Sequence, residues 1–305
     1  MAISWKGVFP ALTTPFTAEE ELDLDLFDRN LDLQVQAGVH GVILGGSLGE
    51  ASVLTDLEKE QLVRRASKRL RGKVPVILNV AEGSTRQAVR CAADAEAWGA
   101  EGLMLLPPMR YRSDHRETVQ FFRTVAAAST LPVMLYNNPV DYKVEITLDM
   151  FEDLADCPSI QAVKESTRDT ANVTRMINRF GRRFKILCGV DTLAVEELSM
   201  GADGWVAGLV DAFPSETVAL YHMVKDGRME EALKLFRWFL PLLEMDLHPK
   251  LVQYIKLAAS ECGNGTEFVR APRLVLAGEE RERIRGVIRH CLATRPLLRG
   301  ELHPV

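Results

Sequence analysis

Val74-Pro75-Val76-Ile77-Leu78-Asn79 is a short, nearly continuous apolar run rich in β-branched residues. Alone, such a run suits either a buried strand or a piece of buried helix. The residues after it decide between the two. Ser84 stands as an N-cap before an amphipathic stretch over residues 85–98, and Gly99 ends that stretch. A second apolar run then begins, Gly102-Leu103-Met104-Leu105-Leu106. Strand, helix and strand in this order predict a parallel sheet covered on both faces.

The unit repeats in both directions along the chain. Apolar runs of the same kind occupy residues 7–13, 41–46, 132–136, 160–164, 184–188 and 204–207. With the first two they make eight candidate strands. Helical patterns lie between them, over residues 26–37, 113–128, 147–155, 169–180 and 191–200. Another begins at Thr55, where Glu58 three residues on completes a capping box. Eight strand-then-helix units over about 210 residues predict a (β/α)8 barrel rather than an open sheet. No G-x-G-x-x-G motif opens a helix after the first strand, which argues against a dinucleotide-binding sheet. Beyond Phe213 the strand signal stops. Residues 215–225, 229–243, 250–261 and 279–293 all read as helix. The expected organisation is a barrel over residues 1–226 and a C-terminal helical extension over 227–305, packed on the barrel as one structural unit.

Composition narrows the function. The chain has 305 residues, 47% hydrophobic and 26% charged, with a formal net charge of −5. Acids and bases are mixed, so no basic stripe for nucleic acid is expected. No apolar run reaches membrane-spanning length. The N-terminus lacks a signal-peptide pattern. The five cysteines are odd in number and widely spaced, with no C-x-x-C. That pattern predicts reduced thiols, no structural zinc and a cytoplasmic, unprocessed protein. The six histidines show no metal spacing such as H-E-x-x-H, so no metal is expected.

In such a barrel, chemistry sits at the C-terminal ends of the strands. Strand one ends in Thr13-Thr14, and strand two runs into Gly45-Gly46-Ser47-Leu48-Gly49-Glu50. Strand five ends in Tyr136-Asn137-Asn138-Pro139, and strand six in Lys164-Glu165-Ser166. Gly189-Val190-Asp191 follows strand seven, and Gly208 follows strand eight. Lys164 is the oddest of these, a lysine closing the apolar run Ile160-Gln161-Ala162-Val163. By position alone, it is either a desolvated nucleophilic amine or a rim lysine paired with a carboxylate. Tyr136 is either a proton shuttle or a packed barrel tyrosine. The glycine-rich turn offers N–H groups and the Ser47 hydroxyl to a carboxylate, or simply needs glycine for its backbone.

Taken together, Gly45-Gly46-Ser47-Leu48-Gly49-Glu50-Ala51, Tyr136-Asn137-Asn138-Pro139 and Val163-Lys164-Glu165-Ser166 resemble the dihydrodipicolinate synthase / N-acetylneuraminate lyase family, the class I Schiff-base lyases. The resemblance extends from Gly7-Val8-Phe9-Pro10 into the C-terminal helices. It implies Lys164 as the Schiff-base lysine, Tyr136 as its proton-transfer partner, and Ser47 with the Leu48 backbone as the holder of a 2-oxo acid carboxylate. No cofactor is implied beyond the covalent imine on Lys164, and a tetramer made of two dimers is implied.

The departures bear on substrate. The family's turn usually carries a second hydroxyl residue where this chain has Leu48. The synthases usually hold the second substrate's carboxylate with an arginine, where this chain has Asp141. They also carry a tyrosine pair after strand four, where this chain reads Pro107-Pro108-Met109-Arg110-Tyr111. A narrower resemblance, to the 1-pyrroline-4-hydroxy-2-carboxylate deaminases of hydroxyproline breakdown, lies in Tyr136-Asn137-Asn138-Pro139-Val140-Asp141-Tyr142-Lys143, in Gly204-Trp205-Val206-Ala207-Gly208-Leu209-Val210, and between Trp238 and Lys256. It implies a small 2-oxo acid or cyclic imine as substrate. Thr13, Gly189 and Gly208 are then expected around it, with Asp141 or Asp191 on its 4-hydroxyl. The alternatives are an aldolase or dehydratase of a 2-oxo-3-deoxy sugar acid, a synthase-like activity, or a non-enzymatic 2-oxo acid sensor.

Overall fold

A computed structural model describes residues 3–108 and 111–298. Eight parallel strands form one sheet: β1 (Gly7–Pro10), β2 (Val42–Leu44), β3 (Val76–Val80), β4 (Gly102–Leu105), β5 (Val133–Asn137), β6 (Ile160–Glu165), β7 (Lys185–Cys188) and β8 (Gly204–Ala207). Neighbours in sequence are neighbours in space, and β1 pairs with β8. The sheet closes at the β1–β2 seam. Leu12 N donates to Ile43 O at 3.0 Å and His40 N to Val8 O at 2.8 Å. This is the expected (β/α)8 barrel, and each of the eight apolar runs forms a strand.

The helices are α1 (Leu24–Gln36), α2 (Asp56–Leu70), α3 (Thr85–Trp98), α4 (His115–Ala126), α5 (Pro139–Tyr142), α6 (Leu148–Leu154), α7 (Ala171–Phe180), α8 (Ala194–Ser199), α9 (Pro214–Lys225), α10 (Met229–Leu243), α11 (Leu251–Glu261) and α12 (Gly278–Ala293). Local chemistry starts and stops them. The Thr55 side chain accepts from Glu58 N while Glu58 bonds back to Thr55 N, completing the capping box on α2. Ser84 caps α3, and Gly99 ends it at φ 97°. Two details differ from the sequence reading. The stretch after β7 is broken into a 3₁₀ turn, Asp191–Leu193, followed by α8. The short α5 is additional, capped by Asn138 with Pro139 in its first turn.

The strands are buried almost throughout, so each apolar run serves both barrel interior and helix layer. Helices α10–α12 follow the barrel. They are tied to it by buried charge. Lys256 Nζ of α11 meets Glu50 Oε1 at 2.5 Å, and neither side chain is more than 2% exposed. Arg270 N donates to the other Glu50 oxygen at 3.1 Å, and the Arg270 guanidinium reaches Glu58, Glu20 O and Val53 O. Glu50 closes the glycine-rich turn at φ 55°. The extension therefore holds the turn that edges the barrel mouth.

Candidate active site

A pocket opens at the C-terminal ends of the strands, with about 690 Å³ of empty space including its mouth. Lys164 and Tyr136 lie on its wall. They are paired in register on β6 and β5. Lys164 Nζ stands 4.2 Å from the centroid of the Tyr136 ring. Parallel pairing at one level of the barrel aims both side chains into the same space.

Lys164 is 7% exposed. Burial pulls its amine below an ordinary lysine, and Asp246, Tyr142, Asp191 and Cys188 oppose that pull. The result is a lysine with more free amine near neutrality. Burial pushes the Tyr136 phenol upward, so it keeps its proton at neutral pH. Asn138 Nδ2 donates to the Tyr136 oxygen at 3.1 Å and to Asp141 Oδ2 at 2.7 Å. The Tyr142 ring meets Tyr136 edge-on at 5.5 Å, and its hydroxyl shares a hydrogen bond of 2.5 Å with Ser47.

The residues expected around the substrate divide into two sets. Ser47, Leu48, Asp141, Gly189 and Gly208 line the pocket with Lys164 and Tyr136. Thr13 and Asp191 do not. Thr13 is buried, and its N–H and hydroxyl both donate to Asp211, at 2.9 and 3.0 Å. Asp191 is buried with its carboxylate engaged by Trp205 Nε1 at 2.9 Å, Leu209 N at 2.8 Å and Gly208 N at 3.1 Å. Both are braces of the barrel rim, because partners within the protein already occupy them. Ala11 lines the pocket from the end of β1 instead.

Glycine at two positions is a matter of space. A Cβ at Gly189 would stand 2.1 Å from Ser166 Oγ and 2.7 Å from Lys164 Cγ. A Cβ at Gly208 would stand 2.8 Å from Asp246 Oδ1 and 2.9 Å from Leu48 Cδ1.

Wall residues outside the expected set include Tyr142, Ser166, Arg168 and Asp246. Tyr142 lies within the Tyr136–Lys143 motif but on a helix that no periodicity announces. Ser166 follows the lysine by two residues. Arg168 lies at the mouth in the left-handed region, φ 64°, a conformation costly for arginine. Asp246 comes from a 3₁₀ turn of the extension, Glu244–Leu247, far from any strand end in sequence. Of the segment expected to stand in for the synthases' tyrosine pair, Met109 and Arg110 lie outside the described residues. Tyr111 is exposed and does not line the pocket. Among the described residues, no group of three His, Cys, Asp or Glu could hold a metal ion.

A closed (β/α)8 barrel with a buried, pKa-lowered lysine and a phenol beside it is the arrangement of an imine-forming enzyme. Comparison with known proteins gives the family. The Dihydrodipicolinate synthetase family matches residues 4–291, and the chain belongs to it. It is 33% identical over 275 residues to a 4-hydroxy-tetrahydrodipicolinate synthase of Exiguobacterium sibiricum, covering 89% of this chain and 92% of that one. It is 31% identical over 287 residues to one of Methanospirillum hungatei, covering 93% and 98%. Its fold matches the crystal structure of dihydrodipicolinate synthase from Aquifex aeolicus at a TM-score of 0.89 and 27% identity, covering 93% and 97%. The chain is thus an enzyme of a Schiff-base lyase family that uses a lysine imine and no added cofactor, and its substrates are small molecules. Among the described residues, no helix is long and apolar enough to cross a membrane.

Proposed function

We propose that this enzyme deaminates 1-pyrroline-4-hydroxy-2-carboxylate, giving 2,5-dioxopentanoate and ammonia, with Lys164 as the imine-forming residue. The observation that carries the reading is the acidic pocket wall. Asp141 and Asp246 both line it, and Leu48 removes a hydroxyl from the carboxylate-binding turn. Asp141 on that wall disfavours a second carboxylate beside it, and the two carboxyl groups suit a substrate bearing a hydroxyl and an amine.

The chemistry begins at the amine. Lys164 adds to C2 of the cyclic imine, and the ring nitrogen leaves C2 as a primary amine on C5. The iminium at C2 is an electron sink, so C3 becomes acidic and Tyr136, once deprotonated by exchange with the departing nitrogen, relays its proton. The enamine then expels the 4-hydroxyl as water. A proton moves from C5 to C3, leaving a C4=C5 enamine, and a second moves from its nitrogen to C4, giving an imine at C5. Water hydrolyses that imine to an aldehyde and ammonia, and hydrolysis at C2 frees Lys164. Ser47 and the Leu48 backbone hold the substrate carboxylate.

A synthase-like activity is the second reading. It is favoured by the names of the relatives and by Arg168, a cation at the mouth able to take a second carboxylate. An aldolase or dehydratase of a sugar acid needs a longer polyol-binding wall. The discriminating test is ammonia release from 1-pyrroline-4-hydroxy-2-carboxylate. Release that disappears in Lys164→Ala supports the deaminase. No release from an enzyme that still forms a reducible adduct with pyruvate moves the assignment to the synthase reading.

For the assembly we propose a tetramer of two dimers, as the family resemblance implies, and sedimentation checks it. All five cysteines are unpaired, which suits the reducing cytoplasm where we place the protein.

A further inference from the structure

We propose that Asp246 is the acid of this pocket, delivering a proton to the 4-hydroxyl oxygen as it leaves the substrate. This role deepens the deaminase reading and rests on it.

Asp246 belongs to no barrel element, yet it lines the pocket with Lys164 and Tyr136. The end of β8 is shaped around it. Gly208 has φ −99° and ψ −52°, a conformation open to any residue, so the backbone does not call for glycine there. A Cβ there would meet Asp246 Oδ1 at 2.8 Å, so the carboxyl lies against this strand end.

The neighbouring acids are otherwise engaged. Asp191 spends its oxygens on the rim N–H groups of Trp205, Gly208 and Leu209. Asp141 is exposed and bonded to Asn138. Among the described residues, no side chain donates a hydrogen bond to Asp246, and only the backbone N–H of Asp191 is directed at it. Asp246 is half-buried and lines the pocket.

The charged or titratable groups around Asp246 include Asp191 after β7, Lys164 on β6, Asp141 on α5 and Tyr136 on β5, with Tyr142 and Arg168 on the same pocket wall. Loss of solvent and the charges of Asp191 and Asp141 push its carboxyl up to about 8, against the pull of Lys164. A carboxyl that keeps its proton at neutral pH can give it away.

Atoms and electrons balance in this step. The Lys164 enamine pushes electrons from C2=C3 into C3=C4 as the C4–O bond breaks. The oxygen takes the Asp246 proton and leaves as water. The Asp246 carboxylate then removes a proton from C5 as C3 is protonated, which restores the acid and leaves a C4=C5 enamine. Protonation of C4 and loss of one N–H proton turn this enamine into the C5 imine. No oxidant, metal or co-reactant takes part.

The test compares wild type with Asp246→Asn in three assays. These are borohydride trapping of pyruvate, ammonia release from 1-pyrroline-4-hydroxy-2-carboxylate, and water loss from a 4-hydroxy-2-oxo acid. Trapping shows that the variant folds and keeps a working Lys164. The expected result is retained trapping with turnover lower by about 100-fold. The fall of wild-type kcat as pH rises through about 8 should also be absent from the residual activity of the variant. If wild type releases no ammonia but does dehydrate the open-chain acid, the deaminase reading fails and Asp246 is judged on dehydration. Turnover within about threefold of wild type overturns the proposal. So does a wild type that expels the 4-hydroxyl from neither substrate.

Discussion

Lys164 and Gly189 form one device. The lysine is held by what surrounds its stem, and the glycine leaves room for that stem. Gly189→Ala should therefore displace the Lys164 side chain or Ser166, since the new methyl group overlaps both. We expect kcat to drop at least ~10-fold with secondary structure intact, because a nucleophile moved by about 1 Å loses its alignment. Circular dichroism with steady-state kinetics checks this. Arg168 gives a second prediction. Its left-handed backbone would cost less with glycine. Arg168→Gly should leave stability within about 1 kcal/mol while raising KM, if the guanidinium is kept for substrate. An unchanged KM would assign it no binding role. At this scale Lys164 and Tyr136 stood out as polar groups near the ends of apolar runs, but position left each with two readings, and only the family motifs around them implied their roles. Asp246 was not legible, since a lone acid in a helical extension carries no periodic or motif signal. Asp191 misled for the opposite reason. It occupies the right loop, but rim N–H donors use up its carboxylate.

The element that matters most beyond the strands is the extension. α11 carries Lys256 into a buried pair with Glu50, and the Lys256 ammonium is pulled down to about 8 by burial despite that carboxylate. Replacing buried pairs by apolar groups is often neutral, whereas removing one partner is costly. Lys256→Ala leaves Glu50 without its lysine and should lower stability by roughly 3–5 kcal/mol. It should also loosen the Ser47–Leu48 turn, so KM for the 2-oxo acid should rise. Urea denaturation and kinetics read the two effects separately. Most helices were legible through caps, as Thr55–Glu58 and Ser84 show. The short α5 was hidden because one turn offers no periodicity, and the broken helix after β7 because its pattern continues through the break.

Across the whole molecule, several carboxyls are buried without a charge partner. Burial first, then the Glu165 charge, pushes Glu197 up to about 8, and Asp211 is pushed up to about 7. Among the described residues, neither Glu197 oxygen has a partner at good hydrogen-bond geometry, although the Cys188 thiol beside it opposes the upward shift. A carboxyl raised on folding favours the native state most below its unfolded value near 4.5, and that advantage is lost as pH rises towards the folded value. Wild-type stability should therefore fall between about pH 5 and 8. Glu197→Gln should flatten that fall by on the order of 2–4 kcal/mol, as read by thermal melts across the range. A variant with the wild-type slope would place the titration elsewhere. The barrel itself was legible from alternation alone, because parallel strands covered on both faces must be apolar throughout. The particular bonds that close the β1–β2 seam, such as Leu12 N to Ile43 O, were not, since any side chains would permit them.

Imine formation on Lys164 underlies every step proposed for this enzyme. Borohydride reduction of the enzyme with pyruvate, followed by peptide mass analysis, tests it most directly. The predicted result is a single reduced pyruvate adduct on each chain, on the peptide carrying Lys164 and absent from Lys164→Ala. No adduct, or an adduct on another lysine that survives in the variant, would contradict it.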